Sequence, residues 1–573
     1  MRRSLGSWAL SLLRLDFSGV AFAALFFCLS LTPSLMPRNW VLAGVIGGIN
    51  AAIGYAIGVL AAAVVRRLLL RSRRWWPPAR RWRYALQTAV VVASVAAGLL
   101  MVLPAAAWQR QIAGVMGIDG PDTGEYLRTV PVAVATAGVL IAGSRILKDA
   151  IRFLARVMIR RWRIDDEVAM FIGTAIVVTV TVMLVNGVVY RGFVAGANAV
   201  FQPRNATTRP GIEQPSETQR SGSATSFAAW NTLGFQGRNF VATGPRAAEL
   251  QRANGAPAKE PIRIYAGLDT ADSLDGRTAV LLSELQRTRA YERKALVIIP
   301  TTGTGWVDPV AARSIESMYN GDTALVAMQY SYLPSWISFL VDQQKSMDAG
   351  KALIDAVVQR WDRWDPRSRP KLLLYGESLG AMSGQGAFSY LRDVVDKGFS
   401  AVLWVGPPNA SPLWTALTTR RDPGSPEVQP RYDNGRTVRF AQASGPGEIA
   451  AVAAPSWGGP RVLFLQHASD PVVWWSPALL FKEPDWLAEP PGQDRSASMR
   501  WYPIVTFWQV SADMMGDVTS SEASPTGHGH NYGDSQLDGW VAVAAPEGWT
   551  QFDTDRIRRE LEKVMSAGGP EFA

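Results

Sequence analysis

Hydrophobic positions change their rhythm near residue 200. Before it they form long runs, Phe17 to Met36, Trp40 to Val65, Tyr84 to Leu103, Val130 to Ser144 and Val168 to Tyr190. These predict about five membrane-spanning helices, all but the fourth reaching the ~20 residues that cross ~30 Å of hydrocarbon. Beyond residue 200 the runs shorten and become rich in β-branched and aromatic residues, at 262–268, 295–300, 323–331, 371–376, 401–406, 461–466 and 503–510. Helical patterns at 343–361 and 379–392 alternate with them, which predicts a mostly parallel sheet covered on both faces. Residues 201–226 are rich in Pro, Ser, Thr and Gln and predict a linker. The expected order is an α-helical transmembrane domain (1–200), the linker (201–226) and an α/β domain (227–573).

Charge adds an orientation. The chain carries +10, but Lys and Arg outnumber Asp and Glu 22 to 8 up to residue 200 and trail them 36 to 40 afterwards. Eight arginines fall between the second and third runs, and seven basic residues between the fourth and fifth. The positive-inside rule places both loops in the cytoplasm, so with five spans everything after Tyr190 lies outside. From Arg145 to Arg163 the basic residues recur every three or four positions, a basic amphipathic pattern suited to an anionic leaflet. Basic residues confined between apolar runs do not suggest a nucleic-acid partner. The single cysteine, Cys28, excludes an intrachain disulfide, and three histidines without ligand spacing suggest neither metal nor cofactor.

The chemistry centres on "LLLYGESLGAMSG" (372–384), where Ser378 stands between Gly376 and Gly380 at the end of a predicted strand and the start of a predicted helix. A nucleophile elbow has this form, because its turn leaves no room for Cβ atoms on either side of the exposed serine. A serine hydroxyl needs a base oriented by a carboxylate. His528 and His530 share the loop "SPTGHGHNYGDS", with little to choose between them, and Asp470 follows another strand in "LFLQHASDPVVWW". Serine, acid and histidine then occur in the chain order of α/β-hydrolases. Asp422 is the rival acid, and His467 reads as structural. The amides of Leu379 and of Gly303 or Thr304 are candidates for an oxyanion hole. Trp336 and Trp475, in aromatic stretches after strand ends, are candidates for an acyl-binding rim.

"LTPSLMPR", "TGTGWVDP", "QYSYLPSWISFLVDQ", "GESLGA", "LWVGPPN", "RDPGSPEV", "LQHASDPVVWW" and "GHGHNY" span nearly the whole chain. On these motifs the sequence resembles a bacterial family of membrane-anchored α/β-hydrolases. The resemblance implies an α/β-hydrolase-type domain carrying Ser378, Asp470 and a GHGH histidine, and it implies no substrate. The expectation is a serine esterase or lipase of the bacterial inner membrane, its hydrolase domain extracytoplasmic. Its partners would be membrane lipids and an acyl-ester substrate. The alternatives are an acyltransferase using the same residues and a non-catalytic membrane scaffold or carrier.

Overall fold

In the computed structural model the described residues are 15–69, 80–443, 446–453, 456–519, 526–533, 535–566 and 568. The chain forms two units: residues 1–196 with 477–483 and 498–516, and residues 197–476 with 484–497 and 517–573.

The first unit is helical. Its elements are α1 (Phe17–Ser30), α2 (Trp40–Leu69), α3 (Arg80–Val115), α4 (Thr129–Trp162) and α5 (Asp166–Met183), the last continuing through a π-helical turn (Leu184–Val189) into Tyr190–Ala206. Four of these helices are long and apolar enough to cross a membrane. The helix α1 is shorter than its apolar run and ends at Ser30 instead of reaching Met36. There the Ser30 and Thr32 hydroxyls donate back to the carbonyls of Phe27 and Leu29, and Pro33 offers no N–H to continue the ladder. The run at 130–144, expected to be a short span, forms one continuous helix with the basic stretch that follows it. Glycines bring α2 close to its neighbours. A Cβ on Gly54 or Gly58 would lie 2.5 Å from a carbonyl of α1, and one on Gly48 would lie 2.6 Å from the Ala133 carbonyl of α4.

Residues 503–510, expected to be a strand, instead form a turn at 503–504 and the first turns of the helix Val505–Thr519. Its buried positions 505, 506, 509, 510 and 513 follow a helical period, and three of them are polar. Gln509 donates to the carbonyls of Ser30 and Thr32, and the Asp513 carboxylate accepts from the Leu35 N–H and the Ser34 hydroxyl and pairs with Arg38. Tertiary partners on the "LTPSLMPR" loop thus override the strand propensity of the β-branched and aromatic run.

Among its described residues the second unit holds seven strands, β1 (Ile262–Ala266), β2 (Ala295–Pro300), β3 (Thr323–Met328), β4 (Lys371–Glu377), β5 (Ala401–Val405), β6 (Val438–Gln442) and β7 (Arg461–Gln466). They pair in the order β1-β3-β2-β4-β5-β7-β6, all parallel. The pattern of apolar runs missed β6, an edge strand whose Arg439 is buried and donates to the carbonyls of Gly435, Val452 and Ser456. The expected helix 379–392 is two helices, Leu379–Gln385 and Leu391–Asp396.

The expected linker is folded. Arg220 is buried against β1, pairs with Glu260 and donates to the carbonyls of Val241, Thr243 and Pro245, while Ser221 N–H bonds Arg263 O. A polar composition here supplies internal hydrogen bonds instead of solvation.

Candidate active site

Strand register assembles the site. Val405 of β5 pairs with Glu377 on one side and Leu465 on the other. Ser378, Gly406 and the turn carrying His467 to Asp470 therefore leave the same edge of the sheet together, the carboxyl ends where ligand sites of open α/β sheets lie.

Ser378 has φ 53° and ψ −126°, a conformation strained for any residue with a Cβ, and its N–H donates to Val405 O at 2.8 Å. The flanking glycines make the turn possible. A Cβ on Gly380 would lie 2.4 Å from the Pro300 carbonyl at the end of β2, and one on Gly376 would lie 2.7 Å from both Gly380 O and the Trp404 ring. Trp404 also occupies the space beside Gly384, so a buried indole fills what Gly376 and Gly384 leave open.

Distance separates the two loop histidines by the acid each one faces. His530 Nδ1 lies 2.8 Å from Asp470 Oδ2, whereas His528 Nδ1 lies 3.5 Å from a different acid, Asp494. The His530 ring packs on Gly406, where a Cβ would come 2.8 Å from its Cε1. Ser378, through its N–H to Val405 O, and His530, packed on Gly406, are thus both placed at the end of β5. Asp470 is fully buried, caps the helix Pro471–Trp474 through Val472 N–H, and accepts the Tyr532 hydroxyl at 2.7 Å. Burial, with the Asp470 charge beside it, keeps the Tyr532 phenol protonated by raising it well above its usual range. A buried carboxylate bonded to Nδ1 fixes the orientation and tautomer of an imidazole.

Asp494, Ser469 and His467 hold the histidine loop, and sequence reasoning missed the first two. Asp494 accepts the Ser469 hydroxyl and N–H, Ser469 Oγ accepts Gly529 N–H, and His467 Nδ1 donates to Gly529 O at 2.7 Å. His467 also stacks on Tyr532 at 4.2 Å, which agrees with the structural reading of that histidine. Burial works against an ionised Asp494, yet His528, His467 and the Ser469 hydroxyl hold it below the usual carboxylate range. The rival acid Asp422 stays in its own loop, bonded to Arg431 and to Asn434 N–H.

Leu379 is the first residue of its helix, so its N–H has no intrahelical partner. Gly303 and Thr304 lie in the loop after β2, which starts at the Pro300 carbonyl that Gly380 approaches. Gln329 Nε2 holds the Thr304 carbonyl, and Gly303 packs against Leu333 O and Ser338. The helix Ser335–Val341 therefore covers this loop. Of the two tryptophans, half-buried Trp336 on that helix packs on Leu333 and Ile337, and half-buried Trp475 meets Phe339 edge-on at 5.5 Å.

Glu377, immediately before the serine, was also missed. It is buried, and Tyr375 Oη lies 2.8 Å from its Oε2 while also bonding Gln536 Oε1. A phenol has one proton for two acceptors, and a protonated carboxyl satisfies the second contact. Burial first, and the Asp308 charge second, push Glu377 up to about 8. An acid whose folded pKa is raised contributes stability in full below its unfolded value and loses it as pH rises through the folded one. Between about pH 4.3 and 8 the protein should lose stability through this group. Glu377→Gln is expected to flatten the fall in melting temperature over that range and to melt above wild type at pH 8.5; an unchanged slope would show that Glu377 is already ionised.

A model of an alpha/beta-hydrolase family matches residues 262–557, and a model of that family's N-terminus matches residues 31–245. No curated protein and no solved structure matches the chain. The first match runs from β1 past the histidine loop, and the second from the "LTPSLMPR" loop through α2–α5 and past Arg220 and Ser221 to residue 245. With the all-parallel sheet and the strained serine at its edge, these matches establish that the chain belongs to this alpha/beta-hydrolase family.

Proposed function

We propose that the protein is a membrane-anchored serine hydrolase that cleaves acyl esters of lipid or cell-envelope molecules. The observation that carries this reading is the convergence of strained Ser378 with the Asp470–His530 pair on one sheet edge. In the proposed cycle Asp470 fixes His530 Nδ1–H, His530 Nε2 takes the Ser378 proton, and Oγ attacks the ester carbonyl. The amides of Leu379 and of Gly303 or Thr304 hold the oxyanion. Collapse breaks the C–O bond, and His530 returns the proton to the leaving alcohol. Water, activated by the same imidazole, then frees the acyl group. Trp336, Phe339 and Trp475 form the apolar wall that receives the acyl chain.

The membrane part of the proposal rests on the four long apolar helices and their arginine-rich ends. Counting α1 gives five crossings, which puts the hydrolase domain outside the bacterial inner membrane. Two assays test the reading. Purified protein should hydrolyse p-nitrophenyl esters with a preference for longer acyl chains, and Ser378→Ala should not; equal turnover by both would end the proposal. Alkaline phosphatase fused to the C-terminus should be active, and an inactive fusion that is present at normal levels would reverse the orientation.

A further inference from the structure

A groove of about 420 Å³ runs between α1, α2, α3 and α4, lined almost wholly by apolar side chains including Ala24, Phe27, Val95, Gly138 and Ile141. That volume is in the ordinary range for a small-ligand site, ~300–1,000 Å³. Its lining on α4 extends from Val130 to Ala142, which at 1.5 Å per residue is ~18 Å, close to half of a ~30 Å hydrocarbon layer. One leaflet's acyl chain has that reach.

One end of the groove is polar. Tyr55 lines it, and its hydroxyl accepts hydrogen bonds from Arg145 Nη2 at 3.0 Å and from the Asp16 backbone N–H at 3.0 Å. Arg145 sits one turn beyond Ile141 on the same face of α4, with its guanidinium 5.9 Å from the Tyr55 ring centroid. The Asp16 carboxylate turns to Ser18, whose N–H and hydroxyl it accepts. Past this end the helices carry Arg66 and Arg67 on α2 and Lys148 and Arg152 on α4. A hydroxyl that already accepts two hydrogen bonds has its own proton to donate outward, beside a guanidinium that favours oxyanions.

We propose that this groove is a binding site for an anionic phospholipid of the cytoplasmic leaflet, its acyl chain along Gly138 and Ile141 and its phosphate at Arg145 and the Tyr55 hydroxyl. Charge complementarity sets the headgroup: the Arg145 guanidinium, with Arg66, Arg67, Lys148 and Arg152 beyond it, favours a phosphate, and the groove takes the apolar tail that comes with it. The inference uses the membrane placement of α1–α4 and none of the hydrolase chemistry, so the two fail separately.

The test is photo-crosslinking of the full chain in phosphatidylcholine vesicles containing a trace of diazirine-tailed phosphatidylglycerol or diazirine-tailed phosphatidylcholine. Crosslinked peptides are mapped by mass spectrometry. A Cβ on Gly138 meets nothing within 4 Å, so Gly138→Leu fills the groove without displacing a helix. The phosphatidylglycerol probe should label α1 and α4 peptides about tenfold more than the phosphatidylcholine probe. Arg145→Gln should erase that difference, and Gly138→Leu should suppress labelling by both probes while the melting temperature holds. Equal labelling by the two probes in the wild type, or undiminished labelling of Gly138→Leu, would overturn the proposal.

Discussion

Asparagine in place of Asp470 should lower kcat on any ester the protein cleaves by on the order of 10⁴-fold, with the melting temperature nearly unchanged. The size follows from what Asp470 does. Its Oδ2 meets His530 Nδ1 at 2.8 Å in a fully buried setting, and loss of the negative charge both withdraws support for the imidazolium and favours the wrong tautomer. The fold survives because asparagine caps a helix as well as aspartate, and Val472 N–H keeps its acceptor. Tyr532→Phe removes one of the hydrogen bonds to the same oxygen, so its effect should be smaller, within about tenfold. Steady-state kinetics on the three proteins checks the ranking. Equal losses in both variants would mean that Asp470 acts through the fold and not through His530.

Asp513→Ala should cost about 3–5 kcal/mol in the helical unit, the typical penalty for leaving one member of a buried ion pair alone. Arg38 and Asp513 lie 3.1 Å apart with side chains 2% and 0% exposed. Alanine would strand the guanidinium and also leave the Leu35 N–H and the Ser34 hydroxyl without their carboxylate. Because the expense lies in the orphaned charge, the double variant Arg38→Met/Asp513→Leu should recover much of the loss. Melting in detergent micelles is the measurement. A double variant as unstable as Asp513→Ala would place the effect in the backbone contacts instead.

These two cases also show where the sequence is readable. The site followed from local rules: a glycine-flanked serine at a strand end, an acid after a second strand, and a histidine loop downstream. Each is fixed by steric demands within a few residues, and the Gly376 and Gly380 contacts have the cause that the motif implies. Long-range partners decided the rest. "PIVTFWQV" reads as a strand until Gln509 and Asp513 are seen bonding a loop nearly 480 residues away in sequence. Little near "GHGH" separates His528 from His530, because the choice depends on which acid, Asp494 or Asp470, the fold delivers to each ring. Buried Arg220 and Arg439 carry the same lesson: polar residues that suggest solvent locally are satisfied by carbonyls that only the tertiary structure supplies.

The central claim is that Ser378 is a nucleophile activated by His530. A fluorophosphonate probe tests it most directly, since it reacts with activated serines and leaves a mass tag on the residue that attacked. The account predicts stoichiometric labelling mapped to Ser378 in the wild type, and loss of labelling in both Ser378→Ala and His530→Ala with their folds intact. Folded wild-type protein that takes up no probe at Ser378, or a His530→Ala variant that labels at the wild-type rate, would contradict it.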